Sequence, residues 1–263
     1  FLTIDGVGEW TTTSYGLALG NKGIEVLGEL HFPDSIGLLY SSFTYFLGFK
    51  VNSGEYKMMG LAPYSSHQSK KVQGFIDIIK EKLVDIKEDG SIKLNKAYFE
   101  YPVGLRMVNP KKWESLFGFK KRGANEPMTQ IHADLAFAAQ KVLEEIIVKL
   151  AHHIKKETDA DYLCLAGGVA LNCVGNGRLL REGGFEDIWI QPAAGDAGGS
   201  LGAALYLYHL KLFIIPSWYP TKLHPESGTF FRDRAIILSK SEQSHINSSF
   251  LRFVPINPSF RFI

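Results

Sequence analysis

Two apolar runs that each stop at a glycine corner and restart as a helix constrain this chain more than any other feature. Asp161-Tyr162-Leu163-Cys164-Leu165-Ala166 runs straight into Gly167-Gly168 and a helix predicted over 169–181. The run 187–191 leads, after Pro192, to Gly195-Asp196-Ala197-Gly198-Gly199 and an Ala/Leu-rich helix predicted over 200–209. Short apolar runs alternating with helices read as buried strands, so the fold class is α/β.

Upstream, Phe1-Leu2-Thr3-Ile4 is a β-prone run ended by Asp5-Gly6-Val7-Gly8-Glu9-Trp10. The β-prone runs 11–19 and 24–30 are joined by Gly20-Asn21-Lys22-Gly23, the composition of a hairpin link. Asp34-Ser35 offers an N-cap to an apolar helix reaching Leu47, with Phe43, Tyr45 and Phe46 as core residues. Gly48, Asn52, Ser53 and Gly54 then turn the chain toward Glu55-Tyr56-Lys57-Met58-Met59.

The block 65–127 is more polar and carries no chemical motif. It predicts a helix through Lys82, a turn at Glu88-Asp89-Gly90 and a loop-rich basic stretch around Trp113, with 111–122 as a solvated face, in all an insertion or a lid. Thr129 caps a long helix whose apolar positions Ile131, Leu135, Ala138, Val142, Ile146, Leu150 and Ile154 recur at three- and four-residue steps. Past Lys211 this order dissolves. A β-prone Leu212-Phe213-Ile214-Ile215 precedes Pro216, Pro220 and Pro225 and long polar runs. The expected division is therefore 1–210 against an irregular, poorly packed tail over 211–263.

Composition matters mainly for what it excludes. With 29 Lys and Arg against 27 Asp and Glu, the net charge of +2 gives no electrostatic reason to expect nucleic acid. The two cysteines, Cys164 and Cys173, form neither a disulfide framework nor a CxxC pair, read as small core residues, and fit a reducing, cytoplasmic setting. No run suits a membrane span or a signal peptide, and the start at Phe1, mid-strand by its pattern, reads as a fragment.

The glycine corners carry the candidate chemistry. A helix starting after such a turn presents free N–H groups and a positive dipole end, and glycine lets phosphate oxygens approach the main chain. The Gly167-Gly168 corner and the turn at 195–199, together with Gly6 and Gly8 of the first turn, would surround a nucleotide from several sides. Each pair is equally explained as a tight strand-to-helix connection. Asp5 and Asp196 each follow a predicted strand in a glycine setting, where a carboxylate can meet a divalent cation bridging to phosphates. Alternatively, Asp5 makes an Asx-turn and Asp196 caps the next helix. His152 and His153 are adjacent on a helix and point apart, and His31 suits a strand-end surface, so the histidines offer no metal site.

Four motifs then carry a resemblance. DGVGEW at 5–10, FKVNSGEYKMMGLAPY at 49–64, LCLAGGVALNCVGNGRL at 163–179 and QPAAGDAGGSLGAAL at 191–205 together resemble the O-carbamoyltransferases of the nodulation and antibiotic-tailoring family. The resemblance implies an actin-like ATPase fold (the sugar kinase, heat-shock chaperone and actin type), here incomplete and followed by the irregular C-terminal tail. It implies that carbamoyl phosphate and ATP give carbamoyl-adenylate in a separate YrdC-like domain. The carbamoyl group then passes to a hydroxyl of a small-molecule acceptor, a sugar or natural product, near a divalent metal, usually iron(II).

Carried over by motif, Asp5 and Asp196 would be metal or phosphate ligands. Gly167, Gly168 and Asn172 would contact the nucleotide, and Gly54 with Lys57 would line the same cleft. The family's histidine motif, its first strand pair and its YrdC-like domain are expected outside this chain, which alone is expected to bind metal weakly and to lack complete transfer activity. A tRNA threonylcarbamoyl-transfer relative and a non-catalytic nucleotide-binding remnant are the other readings. The tail at 210–238 resembles the opening strand and loop of a two-Rossmann-domain, nucleotide-sugar glycosyltransferase, as a fusion of neighbouring frames would.

Overall fold

The structure is a computed structural model and describes residues 1–18 and 23–208. The link 19–22 and the tail from 209, with its glycosyltransferase-like stretch and its expected poor packing, lie outside the described residues.

One mixed sheet organises the molecule. Its strands are β1 (Leu2–Gly8), β2 (Thr11–Ala18), β3 (Ile24–His31), β6 (Tyr162–Ala166) and β7 (Asp187–Ile190), in the spatial order β3-β2-β1-β6-β7. The first three pair antiparallel, whereas β1–β6 and β6–β7 pair parallel. The α/β expectation therefore holds, with the parallel part formed by β1, β6 and β7. A separate two-stranded ribbon joins β4 (Val84–Ile86) to β5 (Ile92–Leu94).

The long helix α5 (Gln130–Thr158) crosses the sheet and buries Leu135, Ala138, Val142, Ile146, Leu150 and Ile154, all predicted, against one continuous core. Its start is fixed where Thr129 donates its backbone N–H to His132 Nδ1 at 3.0 Å. Burial and the nearby Arg122 guanidinium hold His132 below its usual pKa, which keeps that nitrogen an acceptor. Helix α1 (Ile36–Phe46) starts at Ser35, whose hydroxyl oxygen accepts from Leu38 N–H. Among the expected aromatics, Phe43 and Phe46 are buried and Tyr45 half-buried.

Several expectations are corrected. β1 does not end at Ile4: it runs through Asp5-Gly6-Val7-Gly8, irregular between Ile4 and Gly8, and the hairpin turn is Glu9-Trp10. The block 65–127, expected as an insertion or a lid, packs into the common core, where Phe75, Ile79, Leu83, Ile92, Trp113 and Phe117 join residues of β1 and α5. The predicted helix through Lys82 is α3 (Lys70–Ile78) followed by a wider turn, Ile79–Leu83.

The basic stretch contains α4 (Pro110–Phe117), capped by Asn109, and its Trp113 is fully buried against Phe43, Phe46 and Phe99. Lys111, Lys112 and Lys120 are solvated, but Arg122 is buried. Its Nε donates to Leu47 O at 2.7 Å, and its terminal nitrogens reach the carbonyls of Gly48, Ala124 and Glu126. A charge that saturates main-chain carbonyls can be buried, and charge patterning alone cannot register that.

Candidate functional site

The strand ends of β1, β6 and β7 meet at one edge of the sheet. Gly167, at the end of β6, has φ +90°, and a Cβ there would lie 2.2 Å from Ile4 O of β1. Glycine is therefore demanded by the crossing of two backbones, with no ligand needed. Gly168 differs: a Cβ there would lie 3.1 Å from Asp5 Oδ1, so its absence leaves room beside that carboxylate. The same Oδ1 accepts from Gly6 N–H at 2.7 Å, which fixes its direction. Asp196 opens the short turn Asp196–Gly198 ahead of α7 (Gly199–Tyr206), is exposed, and its carboxylate hydrogen-bonds to no described residue.

Two cavities flank this edge, of about 720 Å³ and about 820 Å³, and both are lined by Asp5, Ala193, Ala194, Gly195 and Asp196. Two acidic residues remote in sequence thus line shared space. The first cavity continues over Gly8, Gly167 and Trp10; the second over Gly6, Gly168, Asn172, Tyr40 and the loop at Asn52-Ser53.

Gly54 and Lys57 are not among the residues lining either cavity. Gly54 is the buried residue ahead of α2 (Glu55–Leu61), while Lys57 is exposed beside the Tyr56 ring. Glu55, the first residue of α2, lines the second cavity together with Asn52, Ser53 and Tyr56. Its Oε1 accepts from Ser41 Oγ at 2.7 Å and Asn52 N–H at 3.0 Å, and its Oε2 from Gly54 N–H at 3.1 Å, so it braces the loop.

Asn172 lines the second cavity with its side chain already committed. The helix predicted over 169–181 is two elements, a tight turn Gly168–Leu171 and α6 (Cys173–Glu182), and Asn172 caps the second. Its Oδ1 accepts from Gly175 N–H at 2.8 Å and from Gln140 Nε2 at 3.0 Å, while its Nδ2 donates to Gln140 Oε1 at 3.0 Å. Gln140 also accepts from Tyr40 OH at 2.8 Å and donates to Glu144 Oε1 at 3.3 Å. Burial pushes the Tyr40 phenol well above its ordinary pKa and keeps it a donor. Glu144, also buried, is balanced by Lys141 at 2.8 Å and Arg178 at 3.6 Å.

Sequence reasoning missed Tyr40, which lines the second cavity, and Gln140 and Glu144, which line neither cavity but belong to the network that holds Asn172. The available signal was a Gln and a Glu on the apolar stripe of α5. The cysteines separate: Cys164 is half-buried within β6, whereas Cys173 is exposed at the start of α6, not a core residue.

The donor chemistry limits what the site can hold. Among the described residues no group of three or more His, Cys, Asp or Glu side chains could hold a metal ion, and no imidazole lines either cavity. A hard divalent cation held by Asp5 and Asp196 would have to complete its shell with water and substrate phosphate, and an iron(II) site would need imidazoles from outside the described residues. Among the described residues no helix is long and apolar enough to cross a membrane.

Residues 1–205 match the family described as carbamoyltransferase N-terminus. An uncharacterised protein of Synechocystis is 54% identical over 211 residues, covering 80% of this chain and 33% of the relative. Nodulation protein NolNO of Sinorhizobium fredii is 38% identical, covering 78% of this chain and 27% of the relative. Nodulation protein NolO of Bradyrhizobium diazoefficiens is 36% identical, covering 77% and 33%. The chain thus spans about a third or less of the length of these curated relatives. Because the family match takes in every strand and helix from β1 to α6 and most of α7, the chain belongs to the carbamoyltransferase N-terminus family.

Proposed function

We propose that this chain supplies the adenylate-binding part of an O-carbamoyltransferase, with an actin-like fold, working with a YrdC-like domain that makes carbamoyl-adenylate. The observation that carries the reading is the shared wall. Asp5 and Asp196 line the same two cavities, and glycine corners border them where a phosphate could approach the main chain. The sheet order, an antiparallel meander joined to two parallel strands, is compatible with the actin-like assignment.

The chemistry needs no protein nucleophile, because a carbamoyl-phosphate mixed anhydride is already activated. A lone pair on the acceptor hydroxyl attacks the carbamoyl carbon, the bond from that carbon to the phosphate oxygen breaks, and AMP leaves with the electron pair. The hydroxyl proton is released, and the products are the O-carbamate and AMP. What remains for the protein is to orient the two partners and to stabilise developing charge. Here the Gly167-Gly168 corner receives the nucleotide, while Asn172, fixed by Gln140, holds the start of α6 in place. A divalent cation on Asp5 and Asp196 would offset phosphate charge.

Calorimetric titration of the chain with ATP, in magnesium and then in anaerobic iron(II), tests the reading. ATP is expected to bind only with a divalent cation, and Asp196→Asn to weaken binding at least tenfold with folding unchanged. Carbamoyl transfer is expected only when a YrdC-like domain is added. Cation-independent ATP affinity, or equal affinity in the variant, refutes the site; ATP binding without transfer in the reconstituted mixture favours a nucleotide-binding remnant.

A further inference from the structure

Val103 and Leu105 stand further into solvent than any other large apolar side chain described, and neither lines a cavity. Val103 is 95% exposed and Leu105 108%, as open as in an extended peptide. They flank Gly104 at the tip of a loop that the fold holds firmly. Its arms, 98–100 and 107–109, pair across the Phe99–Val108 bridge, where Glu100 N–H donates to Met107 O and Asn109 N–H to Tyr98 O, each at 3.1 Å. Phe99 and Val108 are buried in the core. The N–H groups of Val103 and Gly104 donate to Glu100 O at 3.1 and 2.8 Å and close the tip. Tyr101 OH donates to Pro33 O at 2.7 Å and moors the first arm. Two apolar side chains are thus fixed in water, a placement that is unfavourable until something apolar covers them.

The charge around the tip says what that cover is. Between 96 and 112 the chain carries Lys96, Arg106, Lys111 and Lys112 against one acid, Glu100. All four basic residues are exposed, and none forms an ion pair among the described residues. Glu100 is half-buried, its Oε1 accepting from Asn109 Nδ2 at 3.0 Å. Lys112 Nζ donates to Ala97 O at 2.7 Å, which ties the start of α4 to the turn Lys96–Tyr98 and sets the lysines at the base of the loop. At most about 10 Å of extended chain separates the bridged arms from the tip. An apolar tip above a cationic collar at this spacing matches the boundary of headgroups and acyl chains, where apolar groups sink about 5–10 Å. A stable protein interface needs about 800 Å² per partner, far more than two side chains offer. We propose that this loop is a membrane-surface anchor: Val103 and Leu105 enter the acyl boundary of an anionic bilayer, and Lys96, Arg106, Lys111 and Lys112 meet its headgroups. Such adsorption requires no spanning helix.

Co-sedimentation of the full chain with vesicles tests this, using phosphatidylcholine alone and phosphatidylcholine with phosphatidylserine as a quarter of the lipid. Binding to the mixed vesicles is expected to be at least tenfold tighter than to the neutral ones and to weaken as salt rises. Val103→Asp combined with Leu105→Asp is expected to lower binding to the mixed vesicles at least tenfold, with an unchanged thermal midpoint because both side chains lie in solvent. Arg106→Glu combined with Lys111→Glu is expected to remove the preference for the anionic lipid. No binding to the mixed vesicles, equal binding to neutral ones, or equal binding by the Asp variant overturns the anchor; equal binding by that variant would place adsorption elsewhere on the chain. Sedimentation velocity without lipid covers the remaining occupant: a wild-type dimer that the Asp variant dissociates would mean that a second copy covers the tip, and would also overturn the proposal.

Discussion

Replacing Asn172 with Ala separates a cap from a ligand contact. The Asn172 side chain makes three hydrogen bonds, all within the protein: one to Gly175 N–H and two to the buried Gln140 amide. Losing the cap costs about 1 kcal/mol. Gln140 keeps Tyr40 and Glu144 as partners but loses one donor and one acceptor, each worth about 1 kcal/mol when buried. The expected loss of unfolding free energy is therefore about 2–4 kcal/mol, read from urea denaturation by far-UV circular dichroism. Asn172→Asp should fall between wild type and Ala. It preserves the acceptor for Gly175 and Gln140 Nε2, but sets a second oxygen against Gln140 Oε1. A double-mutant cycle with Gln140→Leu should show coupling of at least about 1 kcal/mol. If Asn172→Ala unfolds within about 0.5 kcal/mol of wild type and yet loses ATP affinity, the side chain serves a ligand and the positioning role is wrong.

Three further outcomes are expected. Arg122→Met strips the carbonyls of Leu47, Gly48, Ala124 and Glu126 of a shared donor and should cost about 3 kcal/mol in the same denaturation assay. Thr13 is buried in β2 with a hydroxyl that finds no partner among the described residues, so Thr13→Val should raise stability by about 1 kcal/mol. Asp134 titrates below its ordinary value of 3.8: burial pushes it up, but the Ser66 N–H, the Gln130 amide, the Ser66 hydroxyl and Lys71 together outweigh that. Its contribution is therefore complete above the unfolded value and is lost as pH falls through the lower folded one; Asp134→Asn should flatten that limb of a stability-against-pH curve, and an unchanged limb would contradict this.

What could be read from the chain was what repeats or stands next to its partner. The stripe on α5 exposed its buried face through spacing alone, and Ser35 and Thr129 marked helix starts through local capping chemistry. β6 and β7 were legible because each is a short apolar run closed by turn residues, Gly167-Gly168 after the first and Pro192 after the second. β1 was misread at its end because glycine within Asp5-Gly6-Val7-Gly8 looks like a turn, although pairing with β2 carries the strand on to Gly8. Trp113 and Arg122 were misread because basic neighbours dominate a local window, while burial is decided by α1, remote in sequence. The Gln140–Asn172 pair spans 32 positions. Only the docking of α6 on α5 creates it, and a polar residue on an apolar stripe gives no hint of its partner.

The adjacent glycines at 167 and 168 are alike in sequence and unlike in consequence, which makes them the sharpest pair to separate folding from binding. Gly167 combines φ +90° with a prospective Cβ 2.2 Å from Ile4 O, a backbone atom in a central strand that cannot move aside. Gly167→Ala should therefore cost several kcal/mol and leave little folded protein, whether or not a nucleotide ever binds. Gly168 has an ordinary φ, and its nearest obstacle is the Asp5 carboxylate at 3.1 Å, a side chain that can swing by a few tenths of an ångström. Gly168→Ala should fold with a thermal midpoint near wild type but turn Asp5 away from the shared wall, and so weaken cation-dependent ATP binding. Gly168→Val should abolish that binding. A Gly168→Ala protein that melts normally and binds ATP as wild type does would mean that the gap beside Asp5 is unused, and the nucleotide would have to be sought elsewhere.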